Sequence, residues 1–136
     1  MTAKKISATT VAKHEFANYR DKGLQFFCAM QLCFQDQWWD SVFLNGVHAA
    51  ISLADAVAVF RLGKRSTAQS HRDAMELFAQ AVGDNPEGER HAKRLGEILN
   101  WKHEVEYEPR RLTAAEAQRF VQSVQRFVEW VKQQLP

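Results

Sequence analysis

Two charged side chains stand where apolar ones belong in this 136-residue chain: an acid, Asp55, and a base, Lys102. From Leu44 the residues Leu44, His48, Ile51, Asp55, Ala58 and Leu62 recur in steps of four and three, the spacing of one helix face. A second stripe reads His91, Leu95, Ile98, Lys102 and Val105. A carboxylate on a core-facing stripe needs a partner, because a buried unpaired charge costs several kcal/mol. The spacing predicts that Asp55 and Lys102 meet across the interior. Such a pair has two uses. It can set helix register as a structural salt bridge, or it can line a polar cleft in which the ammonium meets a phosphate. A lysine can also snorkel to the surface and serve neither use. His48 shares the Asp55 stripe, where an imidazole is either a satisfied core group or a ligand-binding one. His71 opens a later helix as a packing or capping residue, with a site role as the alternative.

The elements that must position these groups are all helical. Glycines number six and prolines three, and no Asn-Gly or Asp-Gly hairpin signal separates alternating strands. Five helices are expected. The first spans about Thr10 to Gln35, with Phe16, Tyr19, Phe26, Met30 and Cys33 on one face and Gly23 marking a close approach or a bend. The second runs from near Trp38 to Gly63, a fitting residue just past a helix end. The third follows "KRSTAQS", with capping boxes at Ser66 to Gln69 or Ser70 to Asp73, and closes at Gly83. The fourth opens on Asn85 as cap and Pro86 as first residue, with Glu87 and Glu89 complementing the helix dipole, and runs to about Tyr107. The fifth opens on the capping box Thr113 to Glu116 and carries the stripe Ala117, Phe120, Val124, Phe127, Val131, Leu135. Short connections favour antiparallel neighbours. The expected architecture is an all-α, up-and-down bundle of about five helices, forming one domain over residues 1–136.

Composition narrows the function classes. A formal charge of +2 announces no nucleic-acid binder, though it allows a local basic patch. The cluster Arg61, Lys64, Arg65 reads most simply as a solvated loop that could touch phosphate. Cys28 and Cys33 lie five apart on a helix, which suits neither zinc nor a disulfide, so reduced thiols and a cytoplasmic setting are expected. No apolar run approaches a membrane span and no signal-peptide pattern is expected at the N-terminus. His103 with Glu104 or Glu106 lacks a diagnostic metal spacing, so no metal and no cofactor are expected. Trp38-Trp39 is expected to anchor the core at a helix start, with an interface patch as the alternative. No phosphate loop, nucleophile elbow or metalloprotease motif occurs.

The run "NGVHAAISLADAVAVFRLGKRSTAQSHRDAMELF" resembles the second and third helices of HEPN domains (higher eukaryotes and prokaryotes nucleotide-binding). "LGEILNWKHEVEYEPRRLTAAEAQRFVQSVQRFVEWV" is similar to the later part of that family, and together the pieces cover about four of five helices. The resemblance implies a HEPN-like bundle that acts as a homodimer. Many members are toxin-system ribonucleases with an Arg followed four to six residues on by a His. At the matching place this chain has Lys102 and Tyr107. Lysine offers phosphate no planar fork, and a phenol is a poor general base at neutral pH. Arg65 and His71 satisfy the spacing at a different location, read as coincidence.

The resemblance therefore implies the non-catalytic branch: a nucleotide-, nucleic-acid- or partner-binding module, with no catalytic residue, paired with a nucleotidyltransferase in a toxin–antitoxin arrangement. The expected ligand-binding residues are His48, Asp55, His71, Lys102 and Tyr107. The alternative is a metal-independent ribonuclease that leaves a 2′,3′-cyclic phosphate.

Overall fold

A helix almost free of charge can be packed from nearly every side, and the run from Trp39 to Leu62 is such a helix. The computed structural model describes residues 7–67 and 71–136, the side chain of His71 excepted. Among these the elements run β1 (Ala8–Thr10), α1 (Phe16–Gln35), α2 (Trp39–Leu62), β2 (Lys64–Ser66), α3 (His71–Val82), α4 (Pro86–Tyr107) and α5 (Ala114–Gln134), with a 3₁₀ turn at Lys13–Glu15. The all-α bundle of five helices is as expected.

The centre is α2. It packs against α1, α3, α4 and α5, and Val42, Phe43, Val47, Ala50, Leu53, Ala56 and Val57 on it are buried. By length and composition α2, alone among the helices of the described residues, is apolar enough to cross a membrane, contrary to the expectation that no run approaches that limit. Its apolarity is spent in the core instead: 72% of its most apolar window is buried. Around it the amphipathic helices close. On α5 the residues Ala117, Phe120, Val124, Phe127 and Val131 all face inward. Phe43 meets Trp101 and Phe120 at ring-centroid distances of 4.5 and 4.4 Å, so α2, α4 and α5 share one aromatic knot.

The helix ends follow local chemistry. Asn85 accepts a hydrogen bond from the Gly88 backbone N–H at 2.6 Å, and Pro86 takes the first helical position. Thr113 Oγ1 accepts from the Glu116 N–H at 3.1 Å while Glu116 accepts from the Thr113 N–H at 3.2 Å, the reciprocal capping box. Arg110 adds two bonds to the same carboxylate, at 3.0 and 2.7 Å. Gly63 ends α2 in the left-handed region at φ 66°. Gly23 marks a close approach: a Cβ there would lie 2.7 Å from Leu53 Cγ, which is how α1 lies so near α2.

Three expectations are corrected. Thr10 does not begin a helix. It ends β1, which pairs antiparallel with β2 in the register Ala8↔Ser66, Thr9↔Arg65, Thr10↔Lys64, and α1 starts only at Phe16. Ser66 closes β2 and so does not cap α3; Gln69 and Ser70, the other capping residues considered, lie outside the described residues. Trp39 packs against Phe34 at 5.5 Å, but Trp38 is 63% exposed and anchors no core.

Candidate functional site

Helices α1, α5, α4 and α3 follow one another around α2, each touching the next. Among the described residues α1 approaches neither α3 nor α4, so the ring stays open there. The stripe of α2 that faces this gap is its least buried one: Leu44, His48, Ile51 and Asp55 are half-buried while their neighbours on the other sides are sealed. The sequence placed His48 and Asp55 on the core-facing stripe. They lie instead half-buried along this gap, the groove of α2.

Asp55 does not meet Lys102. Its nearest cation is Arg65, with Nε 3.8 Å from Oδ2, and Lys22 of α1 acts on it from further away. The sheet explains this. Pairing with β1 holds Lys64–Ser66 as a strand beside α2, so Arg65 projects over the groove rather than into a solvated loop. Arg65 also donates from Nη1 to the Tyr19 hydroxyl at 3.4 Å and lies 5.4 Å from the Tyr19 ring centre. Arg61, the other arginine of that basic cluster, bonds the Ala81 carbonyl at 3.2 Å and Gln134 at 2.8 Å, joining α2 to α3 and α5.

The Asp55–Arg65 contact is incomplete. At 3.8 Å it lies beyond hydrogen-bond range, and Arg65 Nε is buried without an acceptor among the described residues. Burial pushes the Asp55 carboxyl up from 3.8 to about 6, and the opposing pull of Arg65 and Lys22 does not offset it. An acid held this far from its ordinary value on the floor of a groove marks a candidate site.

His48 lies two turns toward the N-terminus of α2, about 10 Å along the axis. Its ring meets Phe26 of α1 at 5.3 Å. Burial lowers its pKa, with Lys102 and Lys22 adding to the effect and Glu106 opposing it. Lys102 therefore belongs to the His48 end of the groove, reaching it from α4. Among the described residues it forms no ion pair, although the sequence assigned it Asp55. Tyr107 is 71% exposed on the last turn of α4, its ring 5.2 Å from His103, and it lines no buried cleft. His103 pairs with Glu108 at 3.3 Å. The side chain of His71 lies outside the described residues. No cluster of three or more metal-ligating side chains exists among the described residues.

Of the five residues picked from sequence, the structure brings Lys102 within electrostatic reach of His48, while Asp55 lies two turns along α2 beside Arg65. Sequence reasoning missed Tyr19 and Lys22 as site residues, and it named Arg65 without placing it beside Asp55. Tyr19 was assigned to the inner face of α1, and Arg65 was hidden by a three-residue strand whose partner lies more than fifty residues away. Compared with known proteins, the chain matches no protein-family model and no curated protein at a significant level.

Proposed function

We propose that this protein is a non-catalytic, HEPN-like module that binds a nucleotide in the groove along α2. The undercompensated Asp55 carries this reading. Among the described residues its carboxylate accepts no hydrogen bond, and the amino or imino N–H of a base supplies one. Tyr19 and Arg65 flank that end with an aromatic face and a planar guanidinium, both suited to a base. At the other end Lys102 and neutral His48 suit a phosphate. His48 and Asp55 stand about 10 Å apart along α2, a length on the order of a mononucleotide's. An RNA nucleotide presents the same groups. The test is calorimetric titration with mononucleotides and short RNA. Saturable binding lost in both Lys102→Ala and Asp55→Ala supports the site; titrations without heat, or binding indifferent to both changes, remove it. Incubation of the same RNA decides the rival activity, since release of a 2′,3′-cyclic phosphate would make the protein a ribonuclease.

The proposal includes a homodimer in the cytoplasm and a nucleotidyltransferase as a further partner. A second copy suits the outer face of α1, where Leu24, Cys28, Ala29 and Leu32 form an apolar strip and Leu32 is 62% exposed. A two-fold axis at Cys28 sets Leu24 against the partner's Leu32 and turns Arg20 toward the partner's Asp36, opposite charges at both ends. Cys28 is exposed, so a short thiol cross-linker should join two chains, and Cys28→Ser should abolish the product. A monomer at micromolar concentration would remove this part of the reading.

A further inference from the structure

We propose that a cleft between α4 and α5 is a second ligand site, one that takes a phosphate group on three arginines. It is independent of the groove along α2. The cleft is lined by Arg90, His91 and Arg94 of α4, Arg126 and Trp130 of α5, and is rimmed by Glu87 and Glu129. Arg94 and Arg90 stand eight and twelve residues before Lys102, about 12–18 Å from it along the α4 axis.

Three guanidiniums and two carboxylates line this cleft. Glu87 is engaged with Trp130, whose indole N–H donates to it at 3.3 Å. Arg94 is steered by the Ser123 hydroxyl, 3.3 Å from Nη1, while its Nε is buried without an acceptor. Among the described residues Arg90 and Arg126 make no ion pair or hydrogen bond. Unpaired arginines crowded at one place repel one another, and an oxyanion relieves that repulsion with bidentate bonds.

The independent observation is His91. It is only 9% exposed, stands at the wall of the cleft, and its Nδ1 is buried without a hydrogen-bond partner among the described residues. Buried polar side chains are nearly always satisfied, so an unsatisfied one at a cleft wall marks a missing partner. The ring is fixed in place by stacking on Trp130 at 4.7 Å and 16°. Burial, then Arg94 and Arg90, lower its pKa, which registers the positive field an anion would enter. The two rim carboxylates limit the capacity to one compact anionic group rather than a long polyanion. The shared chemistry is a phosphate oxyanion, which a free monoester or a single phosphodiester unit can present.

The test is titration of the intact protein with inorganic phosphate, followed by the ¹⁵N–¹H signal of the Trp130 indole and the ring signals of His91. Saturable shifts at both residues are expected. The surface change Arg90→Gln with Arg126→Gln should weaken binding by about tenfold or more, since charged hydrogen bonds are lost without touching the core. Lys102→Ala should leave it unchanged, which separates this site from the α2 groove. Adenosine monophosphate and a short uridine oligonucleotide then distinguish a monoester from a diester source. Absence of saturable shifts, or equal shifts in the double variant, overturns the proposal.

Discussion

Arg65 Nε lies 3.8 Å from Asp55 Oδ2, close enough for attraction and too far for a hydrogen bond. The acid thus bears the cost of burial with only part of the compensation. Its carboxyl is raised to about 6, so ionising it is harder in the folded chain than in the unfolded one. Below pH 3.8 Asp55 is protonated in both states and carries no penalty. As pH rises from there through about 6, stability is lost, and above that the loss is complete. The shift corresponds to about 3 kcal/mol at most. Asp55→Asn should therefore stabilise the protein at pH 7 by about 1–3 kcal/mol. It should also flatten the pH dependence between 4 and 6. Urea unfolding at several pH values measures both. An Asn variant less stable than the parent at pH 7 would show that the ionised acid holds the fold together.

Arg65 should act on Asp55 rather than on the fold at large. In Arg65→Ala the Asp55 midpoint should move further up from about 6, because an attractive cation is gone while burial persists. Side-chain carboxyl NMR reads this midpoint. An unmoved midpoint would mean that the pair does not exist in solution.

His48 has the opposite sign. Its pKa is lowered from 6.5, so charging it costs more in the fold, and stability is lost as pH falls below 6.5. His48→Gln should remove that loss. A bound phosphate beside Lys102 should raise the His48 midpoint, an effect visible in ring-proton titrations with and without nucleotide. A midpoint indifferent to saturating nucleotide would place the ligand elsewhere.

Two structural changes check the architecture. Thr113→Ala breaks the capping box of α5 and should cost about 1 kcal/mol. Gly23→Ala puts a methyl against Leu53 where α1 crosses α2 and should cost about 1–3 kcal/mol. Thermal unfolding measures each. A neutral Gly23→Ala would mean that α1 stands further from α2 than described.

Helix type and number were legible in the sequence because they rest on local chemistry. The Asn85-Pro86 start, the Thr113 to Glu116 box, the Gly63 stop and the α5 stripe depend on residues a few positions apart, and the structure has each. The face of α2 that opens to solvent was not legible. An apolar helix touched by four others has no polar side to read, so periodicity could not say that His48 and Asp55 floor a groove. The partner of Asp55 was likewise a tertiary decision. Two charges on two stripes suggested Asp55 with Lys102, but β1 and β2, each three residues long, carry Arg65 to the acid first. Strands that short leave no periodic signal, and their pairing is set by how the chain closes on itself. Local order was written in spacing along the chain; which charges meet was settled only by the packing of distant segments.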